Sequence, residues 1–498
     1  MQPSAMANSI DQLRVAFIPV LAPGHMIPLM DIARIFARHG ADVTFITTTG
    51  NAARFRRDVD GDSSSGYKIK LHALQLPSDE VGLPLGLESF SETTSREMTA
   101  KLYRALGLLE NQIENFLLES GVDCIVSDTI LGWTVDVATR LEIPRLVFQC
   151  AGYIALSIAH CISSHAPEDK VESDTEPFEL PGLPNKIELT KLQIPNWVKT
   201  TNKMVAEIME RILVAQRRSF GILMNSFLEL EADYKDYFET NCGMRTWPIG
   251  PVSSWVKEDN VDEDDGGLFS EVMDWLDLQQ PNSVLYVGFG SMTVFPDEQL
   301  LEIAHALQDS DCRFIWVVRK RGEEGGEEDN GKRYLPEGFE ERMKKEKKGL
   351  IMRKWAPQIK ILNHPAVGGF MTQCGWNSTL ESICAGQPVI SWPLTAEQFY
   401  IEKLMTQVMR TAVPVGSRRW WDMNNPAALE IVKREQITKA ITLVLGGGDE
   451  VEGMRERARE LGRAAKTAVS PNGSSYNSLV ALMDELKSVK LKKESSQR

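Results

Sequence analysis

Between Trp355 and Gln398 the chain reads WAPQIKILNHPAVGGFMTQCGWNSTLESICAGQPVISWPLTAEQ, and these 44 residues carry its densest chemical signal. An apolar stretch, Val367 to Thr372, runs into a loop of small and amide side chains, Gln373 to Trp376. A helical stretch follows from Ser378 to Ala385, with Gly386 as its stop. Such a loop aims the helix's free backbone N–H groups, and the positive end of its dipole, at whatever lies beyond the strand's carboxyl end, so an anion is expected there. Trp355 offers a stacking surface, Asn377 and Ser378 offer donors, and the carboxylates and amide of Glu381, Glu397 and Gln398 offer partners for hydroxyls. Those are the requirements of a base, a diphosphate and a sugar. Ser378 and Glu381 fit equally well an S-x-x-E capping box, which would satisfy only the helix's own start.

A second constellation lies far upstream. His25, in LAPGHMIP, falls between the first strand and its helix, and Asp128 directly follows CIVS at the end of another strand. Each has a structural reading, the histidine as part of a turn and the aspartate as a cap on its own loop. As a pair they make a base and its orienter: a carboxylate on one ring nitrogen fixes the tautomer and stabilises the imidazolium formed when the other nitrogen takes a proton. The other six histidines have no comparable location, and His364, in LNHPAVGG, reads as packing or turn structure.

The elements that must position these groups alternate between strand and helix. Leu13 to Val20 reads as a strand, Pro28 to Arg38 as a helix with Leu29, Ile32, Ala33 and Phe36 on one face, and Val43 to Thr48 as the next strand, a βαβ unit. The pattern recurs at Cys124 to Ser127, Gly132 to Leu141 and Arg145 to Phe148. In the second half, strands at Ser283 to Val287, Phe314 to Val318, Val367 to Thr372 and Pro388 to Trp392 alternate with helices at 297 to 308 and 378 to 385. Parallel sheets in two α/β units follow, and doubly wound sheets bind ligands at their carboxyl ends, where both constellations sit.

PIGPVSSWVKEDNVDEDDGG, residues 248 to 267, has linker composition. It divides the chain into an N-terminal domain, 1–250, and a C-terminal domain, 271–475, with 251–270 between them. A last helix, 476–490, is expected to pack back on the N-terminal domain and to leave 491–498 as a mobile charged tail. A length of 498 residues suits two or three domains. With 55 Lys and Arg against 69 Asp and Glu the net charge is −14, which disfavours nucleic acid and anionic membranes as partners. No basic leader or apolar run long enough for a membrane span is present, and seven scattered cysteines without a C-x-x-C pair read as reduced thiols. A cytoplasmic, monomeric protein is expected.

The Trp355–Gln398 segment resembles, over its full length, the signature box of plant family 1 UDP-dependent glycosyltransferases. The resemblance extends to WPIGPV and to SVLYVGFGS at residues 283 to 291, and so covers nearly the whole chain. It implies a GT-B fold, two Rossmann-like domains facing each other across a cleft, and an inverting, metal-independent transfer of glucose from UDP-glucose. Trp355 would stack on uracil, with Ala356 and Gln358 at the base and ribose and Glu381 on the ribose hydroxyls. Trp376, Asn377, Ser378 and Ser291 would hold the diphosphate, and Glu397 and Gln398 would read the sugar. His25 and Asp128 match the family's catalytic dyad. Gln373 departs from the family's usual His in H-C-G-W-N-S and would replace a charge-assisted phosphate contact with a neutral one. The stretch LAPGHMIPLMDIARIFARHG resembles members acting on triterpenoid or steroid sapogenins and on flavonoids. Acceptor contacts are expected from loops near 76–97, 130–160 and 190–205, where Leu83, Leu85, Phe90 and Trp197 suit a flat aglycone and also fit ordinary loop packing.

Other readings exist. Gly288 to Thr293 follows a strand as a dinucleotide fingerprint would, and Arg319 and Lys320 suit a 2′-phosphate, which together describe an NADP-dependent oxidoreductase. The third glycine is Thr293, and the 44-residue box is left unexplained. A non-catalytic nucleotide-sugar-binding protein is a further alternative, against which the intact His25 and Asp128 argue. Two D-x-D matches, Asp262 to Asp264 and Asp309 to Asp311, lie in the linker and before a strand, away from the expected cleft, so no metal is expected.

Overall fold

The computed structural model describes residues 12–198, 203–255, 268–318, 335–422, 425 and 428–496. Fifteen strands form two large sheets and a small ribbon among these residues. In the N-terminal lobe β1 (Arg14–Ile18), β2 (Asp42–Thr48), β3 (Ile69–Leu74), β4 (Cys124–Asp128) and β5 (Arg145–Gln149) are joined by β8 (Gly221–Met224) and β9 (Thr246–Pro248) in the order β3-β2-β1-β4-β5-β8-β9. Every pairing is parallel. The strands β6 (Phe178–Glu179) and β7 (Glu188–Leu189) make an antiparallel ribbon. The C-terminal lobe holds β10 (Val284–Val287), β11 (Arg313–Val317), β12 (Gly349–Met352), β13 (Val367–Thr372), β14 (Val389–Ser391) and β15 (Ala412–Pro414), in the parallel order β12-β11-β10-β13-β14-β15.

Central strands such as β4 and β13 are buried at every position and open as continuous apolar or small-residue runs rather than alternating ones, with polar residues only at their carboxyl ends. In both lobes the winding direction reverses once, between β1 and β4 in the first and between β10 and β13 in the second. A crevice opens at such a reversal. His25 follows β1 in the first turn of the next helix, Asp128 ends β4, and the loops after β10 and β13 carry Ser291 and Gln373, so the fold brings all four to switch points.

One apolar cluster runs through both lobes, joining Tyr153, Ile158 and Phe227 to Trp376, Ile383, Phe399 and Ala465. The C-terminal helix, Ser474–Ser496, lies on the N-terminal lobe, where Leu479, Leu482, Met483 and Leu486 are buried in that lobe's core. It continues past Val489, and the expected tail is helical as far as Ser496. Lys490 and Lys493 fix this end by donating to the carbonyls of Gln12 (2.8 Å) and Leu141 (2.7 Å). No helix among the described residues is long and apolar enough to cross a membrane.

Two further boundaries differ from the sequence reading. The first helix spans Pro23–Arg38, five residues earlier than its apolar periodicity indicates, with Pro23 in the first turn and Pro28 inside. The helix after β13 spans Trp376–Ala385, with Gly375 at the N-cap, and Cys374 makes the turn in the left-handed region at φ 63°. Ser378 is therefore the third helical residue, and the S-x-x-E capping box does not form.

Candidate active site

Asp128 ends β4 fully buried, with its Oδ1 accepting the Ile130 N–H at 3.0 Å and its Oδ2 facing His25 Nδ1 at 2.6 Å. A carboxylate at that distance places the proton on Nδ1 and leaves Nε2 as the acceptor. His25 lies in the first turn of its helix, and its ring remains partly accessible. Burial works against the imidazolium, but the charge and hydrogen bond of Asp128, together with the Cys150 thiol, override it and raise the His25 pKa well above its usual value. The Cys150 Sγ is 3.6 Å from Nε2.

On the facing lobe, Gln358 organises one end of the site. Its Nε2 donates to Ser378 Oγ (3.1 Å) and Glu381 Oε2 (2.5 Å), while its Oε1 accepts from the Tyr286 hydroxyl (3.2 Å). Glu381 thus faces Gln358 instead of capping its own helix. Trp355 stands 54 % exposed beside the buried Ala356. Gln373 is buried, with its Oε1 accepting from Thr372 Oγ1 at 2.9 Å. Its amide nitrogen fills the space over Gly290, where a Cβ would come within 2.2 Å. Any side chain at Gly290, itself at φ 70°, would evict the amide. Ser291 is half-buried next to this contact.

The sugar-reading candidates sit on the loop after β14. Gln398 Oε1 accepts the N–H groups of Leu394 (3.0 Å) and Thr395 (2.9 Å), which fixes the amide. The Glu397 carboxyl is raised by burial and lowered by its own backbone N–H and by His25, so the base of one lobe and the carboxyl of the other share a field.

The lobes meet at the loop and helix start that follow β13. Asn377 Nδ2 donates to the Gly24 carbonyl at 2.8 Å, one residue before the base. That carbonyl is free because its partner in a regular helix would be the N–H of residue 28, which is proline. The Trp376 indole donates to the Asn225 carbonyl at 2.6 Å and packs on Gly152, where a Cβ would come within 2.6 Å of the ring. The Trp376 side chain is therefore taken up by lobe contact. Its backbone N–H, at the helix start, is what it can offer an anion.

Among the acceptor candidates, Leu83 and Phe90 are buried in the N-terminal core, Leu85 is 88 % exposed, and Trp197 meets Trp420 edge-on at 5.6 Å. Cys150, Arg145 and Trp420 were not singled out from sequence. Cys150 directly follows β5, and the carboxyl-end rule that marks Asp128 would have found it; an arginine at the first position of a strand and a loop tryptophan give no such signal. Asp309 and Asp311 lie at the far end of their sheet, with Asp311 paired to Lys348. Asp262 to Asp264, Arg319 and Lys320 lie outside the described residues, and no cluster among the described residues could hold a metal ion.

Two doubly wound lobes facing each other, with a histidine–carboxylate pair on one and a helix start beside the switch point of the other, define a two-lobed nucleotide-sugar transferase of GT-B architecture. Comparison with known proteins makes the assignment specific. Residues 265–445 match the family model described as UDP-glucoronosyl and UDP-glucosyl transferase. The soyasapogenol B glucuronide galactosyltransferase of Glycine max is 44 % identical over 498 residues, covering 99 % of each chain. UDP-glucosyl transferase 73CC6 of Saponaria officinalis is 42 % identical, covering 96 % of this chain and 97 % of its own. UGT73P12 of Glycyrrhiza uralensis, solved with glycyrrhetinic acid 3-O-monoglucuronide, superposes with a TM-score of 0.90 at 43 % identity over 98 % of each chain. The chain belongs to the plant UDP-dependent glycosyltransferase family.

Proposed function

We propose that this enzyme transfers glucose from UDP-glucose to a hydroxyl of a triterpenoid or steroid sapogenin, or of a sapogenin that already carries a sugar, with inversion at the anomeric carbon. The observation that carries this reading is the 2.6 Å contact between His25 and Asp128, one residue from the Gly24 carbonyl that Asn377 of the other lobe holds. Support for the acceptor class comes from relatives named for soyasapogenol and nuatigenin substrates and from the glycyrrhetinic acid glucuronide in a structural neighbour. Flavonoids are the second class, on the strength of relatives acting at the anthocyanin 3′ and flavonoid 3 positions.

His25 Nε2 removes the acceptor's hydroxyl proton as the oxygen forms its bond to the anomeric carbon. The bond from that carbon to the diphosphate breaks on the opposite face, and UDP departs with a β-glycoside as product. General-base help of this kind contributes about 10² to 10⁴ in rate. The start of the Trp376–Ala385 helix, with Asn377, Ser378 and Ser291, meets the charge that develops on the leaving group. Trp355 takes the uracil, Ala356, Gln358 and Glu381 the ribose side, and Glu397 and Gln398 the sugar hydroxyls. Asp128 and Cys150 raise the pKa of His25, so the imidazolium predominates below that value and the neutral, active base appears as pH climbs through it.

The test is product formation. Purified protein with UDP-glucose, UDP-galactose and UDP-glucuronic acid is offered sapogenins, sapogenin monoglucuronides and flavonoids, and products are read by mass spectrometry. A hexose gain on a sapogenin skeleton with UDP-glucose is expected; the absence of any sugar transfer overturns the proposal. His25→Ala should abolish transfer with UDP binding, measured by calorimetry, nearly unchanged. Loss of both together would contradict the division of roles between the lobes.

A further inference from the structure

Arg145 opens β5 and is only 2 % exposed, yet its hydrogen bonds all go to neutral acceptors. Nε donates to Ser127 Oγ (2.9 Å) and Thr134 Oγ1 (2.7 Å), Nη1 to Ser219 Oγ (2.8 Å), and Nη2 to the carbonyls of Asp128 and Leu131 (3.3 Å each). Taking a guanidinium out of water is costly unless an opposite charge compensates it. Asp136 is half exposed and engaged with Arg218 at 2.7 Å. The fully buried anion is Asp128, on the neighbouring strand. Asp128 has the mirror-image problem, being a buried carboxylate whose own direct partners are a histidine and one backbone N–H.

We infer that Arg145 is a positioning residue for the transfer: its guanidinium clamps the Asp128–Leu131 turn and supplies the buried positive charge beside which the Asp128 carboxylate is held aimed at His25. The clamp is direct. The two carbonyls bound by Nη2 bracket Ile130, whose N–H holds Asp128 Oδ1, so the fork sets the carboxylate's orientation from beneath. The charge acts through the dyad, because a cation near the Asp128–His25 pair opposes a second positive charge on the imidazole. Burial pulls Arg145 down to about 10, with Asp128 and Asp136 opposing that fall, and it remains charged at neutral pH. The other titratable groups facing His25 are Cys150, Tyr103 and Glu397.

The inference rests on the base role proposed above, and its test separates the two. The pH dependence of kcat/KM is measured for the native enzyme and for Arg145→Gln, Arg145→Lys and Ser219→Asp. The glutamine variant lacks the charge, so its acid limb should move up by about one pH unit, with a plateau lowered about tenfold or more. Lysine keeps the charge without the fork: the limb should stay in place while the plateau falls. Ser219→Asp puts a carboxylate against Nη1 and leaves the fork intact. It should move the limb upward with the plateau held within about threefold, and it answers the question even if the glutamine variant does not fold. An acid limb that stays put in both the glutamine and aspartate variants overturns the inference and leaves Arg145 a structural residue. A His25→Ala enzyme that still transfers sugar overturns the base role itself.

Discussion

Gln373 is an amide held at both ends, its oxygen by the Thr372 hydroxyl and its nitrogen against Gly290, in the loop whose backbone is proposed to receive the diphosphate. An imidazole there would offer a donor able to carry charge, and a charge-assisted hydrogen bond contributes about 1.5–3 kcal/mol where a neutral one contributes about 1. Gln373→His should therefore lower the KM for UDP-glucose by roughly threefold to tenfold with kcat little changed. An unchanged KM in steady-state assays would mean that the side chain at 373 serves the loop and not the donor. At this scale the sequence was most informative where chemistry and position coincide: His25 and Asp128 are polar residues at the ends of apolar strands. It was least informative for Arg145, because an arginine at the first position of a strand reads as a surface residue, and only the three-dimensional path of its side chain brings it under Asp128.

Elements show a second kind of legibility. Buried parallel strands stand out as short apolar runs, and those read from sequence reappear within one or two residues. Helix starts shift more, because the last periodic apolar residue says little about where the first turn forms. Pro23 begins the first helix five residues ahead of the expected start, and Trp376 begins the helix after β13 two residues ahead of Ser378. The segment after β15 has no period at all, yet it supports the loop proposed to read the sugar. The Trp420 indole donates to the Ala396 carbonyl at 3.1 Å, its backbone N–H to the Leu192 carbonyl at 2.7 Å, and Ala396 is held at φ 50° directly before Glu397. A left-handed alanine costs roughly 1–2 kcal/mol and persists only where neighbours enforce it. Trp420→Ala should let the loop relax, and the preference for UDP-glucose over UDP-galactose, read as the ratio of kcat/KM values, should narrow about tenfold. A ratio that survives the substitution would show that Glu397 and Gln398 are placed without help from Trp420.

The whole molecule is joined across its cleft by more than the linker. The C-terminal helix returns to the N-terminal lobe, an apolar cluster spans both lobes, Arg96 pairs with Asp422, and Asn377 reaches the Gly24 carbonyl beside the base. The last contact depends on a local defect. Pro28 withholds the N–H that would otherwise bond Gly24 within the helix, and the opposite lobe uses the vacated acceptor. Pro28→Ala would return that N–H and set an intrahelical bond in competition with Asn377. The helix itself should gain, because a proline in a helix interior costs about 3 kcal/mol relative to alanine and the new bond closes its first turn. Lobe closure should lose, and with it the exclusion of water from the donor. The expected variant melts no lower than the native enzyme, transfers sugar severalfold more slowly, and releases a larger share of UDP without forming product, measured by coupled UDP assay with and without acceptor. A variant with native transfer and native hydrolysis would show that the Asn377–Gly24 bond follows closure rather than securing it. The stability gain and the catalytic loss point in opposite directions, so a variant that merely unfolds cannot imitate the expected result.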